Sequence, residues 1–162
     1  MIRASNDIQR HVEALSALIP AAQTAAQAVD EAAAAHLGIN RTDLRCLGVV
    51  LEYGPLSAGK LAESVGLTRG AMTTALDRVE QAGFVRRVHN DQDRRGVTIE
   101  ATQAAKDAIA EIWGPIRADG LAVLKKYSAA ELDVLRRFFE DYCEIQRANA
   151  ARIRERGERH DA

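Results

Sequence analysis

Hydrophobic positions along the chain recur mainly three and four residues apart, which predicts helices over most of its length, with one short alternating stretch near the middle. Ile8, Val12, Leu15 and Ile19 form the first stripe, in a helix from Asp7 to about His36, after residues 1–6 that are expected to be disordered. Pro20 lacks an amide proton and crowds the preceding turn, so it is expected to kink or split this helix. The Ala-rich segment 21–35 favours helix and lets neighbouring helices approach closely, and Gly38 stops it. Asn40 then caps a new helix. Asp43, three residues on, completes a pattern like a capping box, with Ile39 and Leu44 as its staple. Leu44, Leu47, Val50 and Leu51 form the buried face, and Gly54-Pro55 ends the helix.

The next stretch, Leu56 to Glu100, organises the rest. Leu56-Ser57 opens a short helix in which Ser57 accepts from the free amides of the first turn, and Leu61, Ala62 and Val65 share one face. Gly66 permits the left-handed backbone that stops it. Thr68 caps a second helix, whose stripe is Met72, Ala75, Leu76 and Val79, and Gly83 ends that one. Phe84, Val85 and Val88 mark a strand, and Val97-Thr98-Ile99-Glu100 alternates as a second. The polar turn 90–96 lies between them, so these two strands read as a hairpin. A helix, a tight turn, a helix and a hairpin make a winged helix-turn-helix, a shape suited to duplex DNA.

Beyond the hairpin, Thr102 caps a long helix with Ala105, Ile109, Ile112, Trp113 and Ile116 in its stripe. Gly114-Pro115 is expected to bend this helix rather than break it, since the pattern resumes at Leu121 and Leu124. Ser128 and Glu131 make a capping box for the last helix, which carries Leu132, Leu135, Phe138, Phe139, Tyr142 and Ile145. Apolar residues thin out past Arg147, and 152–160 is expected to fray. The helices at 8–36, 102–126 and 129–150 present apolar faces with no lobe of their own to cover them. A second copy of the chain is the simplest cover.

The outward side of the second short helix carries Arg69, Gly70, Thr73, Thr74 and Arg78. Small residues there let the backbone sink into a major groove, and Arg and Thr suit base edges and phosphates. Residues 68–97 hold six arginines against four carboxylates, a surplus of two positive charges in a chain whose net charge is −1. The positive charge therefore gathers where a phosphate backbone would lie. An arginine at the hairpin tip, Arg94 or Arg95, suits a narrow minor groove. The bland alternative is an ordinary solvated helix face and a self-neutralising loop.

Composition sets the remaining bounds. At 47% apolar and 28% charged, the chain is of the soluble globular type. Its slight acidity argues against general polyanion binding. No apolar run approaches a membrane span and no signal peptide is evident, so a cytoplasmic location is expected. Cys46 and Cys143 lie far apart, each in a predicted helix, and are read as structural rather than redox-active. The four histidines have no metal-ligand spacing, and no phosphate cradle or nucleophile elbow occurs, so neither a metal, a cofactor nor an enzyme is indicated.

The run LxxxxGLTRGAMTTALDRVEQAGFVRR, followed by DxDRRGVxIxxT, resembles the MarR family of winged-helix transcriptional regulators over most of the chain. The resemblance implies a sequence-specific regulator of double-stranded DNA, acting as a homodimer on a pseudo-palindromic operator. It further implies a repressor released by a small aromatic or phenolic effector. In this family the wing carries Asp-x-Arg, matched by Asp93 and Arg95. Arg95 would be the minor-groove finger, with Arg94 as its neighbour, and Asp93 its brace, with Arg78 as a fitting second brace. The DNA-binding set implied is Thr68, Arg69, Gly70, Thr73, Thr74, Arg78, Arg94 and Arg95. Arg86 and Arg87 would support them or touch phosphates. Ala101 departs from the family's usual Leu, which bears on packing below the wing. The family's peroxide-sensing branch uses a cysteine near the N-terminus, and none precedes Cys46. Arg45, Cys46, Tyr53 and Trp113 are groups that could line an effector site, although core packing or surface pairing accounts for each.

The fold class expected is therefore mainly α with a small β-hairpin wing. The winged helix-turn-helix would span 39–101, between an N-terminal dimerisation helix, 1–38, and C-terminal dimerisation helices with a frayed tail, 102–162. The alternatives are a winged-helix module that binds protein instead of DNA, and a thiol-based redox-sensing regulator.

Overall fold

The computed structural model describes residues 2–89 and 97–158. Its elements run α1 (Ile2–His36), α2 (Arg41–Tyr53), β1 (Leu56–Ser57), α3 (Ala58–Val65), α4 (Arg69–Gln81), β2 (Val85–His89), β3 (Val97–Ala101), α5 (Gln103–Leu124) and α6 (Ala129–Glu158). The chain divides into two compact units, Met1–Ile112 and Trp113–Ala162.

In the first unit, α2 lies at the centre of the core. Its Cys46, Leu47 and Val50 pack with Leu61, Ala62 and Val65 of α3 and with Met72, Ala75, Leu76 and Val79 of α4. Val85, Ile99 and Ala105 close the cluster from β2, β3 and α5. Every apolar position assigned to α3 and α4 from spacing is buried. The stops are those expected, with Gly38, Gly54, Gly66 and Gly83 all at positive φ. At Gly66, φ is 75° and ψ 37°, the left-handed cap in which a side chain would crowd its own carbonyl.

The sheet has three strands rather than the two of a simple hairpin, in the order β1-β3-β2, all antiparallel. Leu56 pairs with Ile99 and Ser57 with Thr98, while β2 and β3 pair from Val85–Ala101 to His89–Val97. Two residues are too few to show any periodicity, so β1 is invisible in the hydrophobic pattern. Ser57 serves twice: its backbone belongs to the sheet, and its side-chain oxygen accepts the Lys60 amide to cap α3.

Thr102 fastens the sheet to the helices. Its amide donates to the Phe84 carbonyl at 3.0 Å, its hydroxyl donates to the Gly83 carbonyl at 2.7 Å, and the same oxygen accepts the Ala105 amide at the start of α5. Ala101, where a larger residue was the family expectation, packs half-buried against the core.

Three expectations about the long helices need correction. α1 begins at Ile2, so residues 2–6 belong to a helix. Pro20 does not split α1, because one missing amide removes a single rung from a helix held by many others, and Thr24 donates to the Pro20 carbonyl on the far side. α6 continues through Glu158, well past Arg147, because Ala, Arg and Glu are strong helix formers even without a core to cover. α5 runs unbroken through Gly114-Pro115.

In the second unit, the Ser128–Glu131 capping box is closed in both directions, and the Phe138 ring meets Phe139 edge-on and stacks with Tyr142. Ser128 holds the Glu131 carboxyl below its ordinary range by donating to it from hydroxyl and backbone amide.

Candidate nucleic-acid interface

The α3–turn–α4 pair meets at Gly66-Leu67, and Thr68 caps α4 through its hydroxyl oxygen, which accepts the Ala71 amide at 3.3 Å. At 3.6 residues per turn, Met72, Ala75, Leu76 and Val79 face the core, which leaves Arg69, Gly70, Thr73, Thr74 and Asp77 on the opposite, exposed side. The Thr73 hydroxyl donates to the Arg69 carbonyl at 3.0 Å, and the Thr74 hydroxyl to the Gly70 carbonyl at 3.2 Å. Arg69 pairs with no carboxylate among the described residues. A β-carbon at Gly70 would meet nothing within 4 Å, so nothing inside the chain requires glycine there.

Asp77 is the one carboxylate on this face, and it is paired. Arg87, on β2, donates through Nη2 to Asp77 at 2.6 Å and through Nη1 to Glu80, whose other oxygen accepts the Arg87 amide at 3.0 Å. The hydrogen bond to Asp77, joined by the charges of both carboxylates, raises the Arg87 guanidinium above its ordinary range. Arg86, on the opposite side of the same strand, is bound to Glu100 across the sheet. Two of the arginines counted toward a basic surface are thus largely neutralised within the lobe.

Arg78 lies on the flank of α4 and turns toward α2. Its Nε and Nη2 donate to the two oxygens of Asp43 at 2.8 and 2.6 Å, which raises the guanidinium. Asp43 is only 1% exposed. This corrects its reading as the second half of a capping box: its amide donates to the Asn40 side chain at 2.9 Å, as a capped residue's should, but its carboxylate belongs to Arg78. The sequence did carry a signal. Asp43, Leu47 and Val50 fall on one helical stripe, and a carboxylate on an apolar stripe needs a cation brought to it.

The structure thus brings Thr68, Arg69, Gly70, Thr73 and Thr74 together at one end of α4, with Arg78 turned aside. Asp93, Arg94 and Arg95 lie outside the described residues, as does any brace between Asp93 and Arg78. Of the groups named for an effector site, Cys46 is core and Tyr53 is exposed, with Arg45 exposed and Trp113 half-buried. Burial, and after it the Asp43 charge, pushes the Cys46 thiol from 9.0 up to about 11, far from a reactive thiolate. Among the described residues no group of His, Cys, Asp or Glu could hold a metal, and no helix is long and apolar enough to cross a membrane.

A helix–turn–helix packed on a three-stranded antiparallel sheet defines the winged-helix class of DNA-binding proteins. Residues 39–97 match the MarR family. The chain is 32% identical over 125 residues to the HTH-type transcriptional regulator YcgE of Bacillus subtilis, covering 77% of this chain and 81% of that one. It is 30% identical over 89 residues to the HTH-type transcriptional repressor YetL of the same organism, about half of each chain (55% and 53%). A MarR family protein from Bacillus stearothermophilus has the same fold, with a TM-score of 0.69 at 23% identity over 85% of this chain and 96% of that one. The chain belongs to the MarR family: it is a DNA-binding HTH transcriptional regulator, not an enzyme.

Proposed function

We propose that the chain is a homodimeric repressor in which α4 enters the major groove and the wing tip the flanking minor groove of a pseudo-palindromic operator. The observation that carries this is the outward face of α4. Arg69, Gly70, Thr73 and Thr74 form a low, hydroxyl- and guanidinium-bearing surface, and its one carboxylate, Asp77, is paired with Arg87, which also holds Glu80. Glycine at 70, where the chain itself leaves open space, suits close approach by an outside body. Thr68, Arg69, Gly70, Thr73 and Thr74 meet bases and phosphates, and Arg95, with Arg94 beside it and Asp93 as its brace, serves as the minor-groove finger.

The homodimer is supported by apolar residues standing in solvent. Ile8, Val12, Leu15 and Leu18 of α1 are 51–66% exposed, and α6 exposes Val134, Phe139, Ile145 and Ile153. In this reading 1–38 and 102–162 form the dimerisation region and 39–101 the reading head. Two-fold symmetry then sets two copies of α4 about one turn of DNA apart, ~34 Å. Repression is the sign carried by the relative YetL, which is named as a repressor. Release by a small aromatic or phenolic effector rests on family likeness, as a shift between fitting and non-fitting head separations.

A gel shift with the promoter beside its own gene tests the reading. The wild type binds, and Arg95→Ala weakens binding strongly and lowers the slope of log affinity against log salt by about one. Unchanged affinity and slope in that variant would remove the wing from the mechanism.

A further inference from the structure

We propose that Thr73 and Thr74 read thymine through their γ-methyl groups, so that each half-site carries thymines at the positions facing them. The inference rests on the reading that α4 enters the major groove. Each threonine has three ways to speak to a base: a hydroxyl proton, an acceptor oxygen and a methyl group. Both protons are already committed to α4, to the Arg69 carbonyl at 3.0 Å and the Gly70 carbonyl at 3.2 Å. A threonine anchored through its hydroxyl holds one rotamer, which turns the methyl away from that carbonyl. Both side chains are exposed, so the methyl and the oxygen's remaining lone pairs are what the face offers.

Only one base-pair type answers both leftovers. The 5-methyl of thymine is the one apolar group on a major-groove edge, and the adenine paired with it presents an amino donor for the accepting oxygen. A G·C pair offers an amino group but no methyl. Gly70 lies beside the two threonines, and with open space where its side chain would be, it lets the helix descend until methyl meets methyl. Arg69, on the same face and without a carboxylate partner among the described residues, is left for a guanine edge or a phosphate.

The test begins by selecting, from a random duplex pool, the sites bound by the full-length protein. Each thymine of the selected site is then replaced singly by deoxyuridine, which removes only the 5-methyl. At two positions per half-site we expect a loss of about fourfold each, the worth of one buried methyl. Thr73→Ser and Thr74→Ser, which delete the γ-methyl and keep the hydroxyl, each abolish the sensitivity at one of those positions. Thr73→Val and Thr74→Val, which keep a methyl and lose the hydroxyl, retain it. The proposal is overturned if deoxyuridine has no effect anywhere while Thr73→Ala and Thr74→Ala weaken binding, in which case the helix reads DNA by another chemistry. It is overturned equally if the sensitivity survives in both serine variants. If neither the alanine variants nor the base changes alter affinity, placing α4 in the groove fails as well. A wild-type scan in which no thymine is sensitive overturns the proposal even if a variant does not fold.

Discussion

Both carboxylate oxygens of Asp43 are held by a single guanidinium, that of Arg78, 35 residues further along the chain. The pair joins α2, the centre of the core, to the flank of α4. Breaking it from the arginine side strands a buried carboxylate, whereas breaking it from the aspartate side leaves a half-exposed guanidinium that water can reach. Arg78→Ala therefore lowers the melting temperature more than Asp43→Ala does, and pairing Asp43→Leu with Arg78→Met recovers most of the loss. Thermal unfolding of the four proteins checks the order. Since two of its nitrogens serve Asp43, Arg78 acts as a strut, and Arg78→Gln is expected to leave the salt slope of operator affinity at its wild-type value. A fall of about one would mean that it touches a phosphate as well.

Arg87 has a different task. It faces Asp77 and Glu80, and Asp77 lies one helical turn beyond Thr73 on the face proposed to meet DNA. Without Arg87, a bare carboxylate would oppose the phosphates at short range. Arg87→Ala is expected to weaken operator binding about three- to tenfold, the scale of one like-charge approach near a surface. Adding Asp77→Asn to it should restore most of the affinity. Failure of the second change to rescue, measured by titration at fixed salt, would show that Arg87 contributes through its own contact with the backbone.

These pairs also mark where sequence reasoning ended. The helices, their caps and nearly all of the core were legible, because burial on a helix face repeats at three and four and because Asn40, Ser57, Thr68, Thr102 and Ser128 are side chains that cap. The third strand was not, since a two-residue strand has no period and is held by backbone pairing with Ile99 and Thr98. Nor were the partners of the arginines. Charge counting treats Arg86 and Arg87 as free, while the fold brings Glu100 beside one and Asp77 and Glu80 beside the other. Which of the positive charges remain for a ligand is a tertiary property.

The two thiols should behave differently. Cys46 is buried with its thiol raised to about 11, whereas Cys143 is exposed on α6. In the native protein near pH 8, a thiol reagent should label Cys143 and spare Cys46, and both should react after denaturation. Rapid native labelling at Cys46 would reopen a redox role. The same shift predicts a direction for stability. An unfolded chain ionises this thiol from about pH 9 while the folded one resists, so the contribution of Cys46 is intact below pH 9 and is lost as the pH rises toward 11. Cys46→Ala should flatten the alkaline limb of a stability–pH profile.

On the homodimer reading, the apolar stripe of α1 sets the assembly. Ile8, Val12, Leu15 and Leu18 are at least half exposed in the single chain, and each turn of the helix adds another apolar residue to the same strip. Left in water, that strip forgoes roughly 25 cal/mol for every Å² of apolar surface that a partner could cover. A charge placed in its middle would have to be buried unpaired if the strip is an interface, and would cost almost nothing if it is not. Leu15→Glu with Leu18→Glu is therefore expected to turn a dimer into a 17.6 kDa monomer in sedimentation at micromolar concentration. The wild-type melting temperature should rise with protein concentration, as it does when folding and association are linked, and that dependence should vanish in the double variant. A wild type that sediments as a single 17.6 kDa species would instead leave each reading head to bind DNA alone, and the two-fold operator would have no basis.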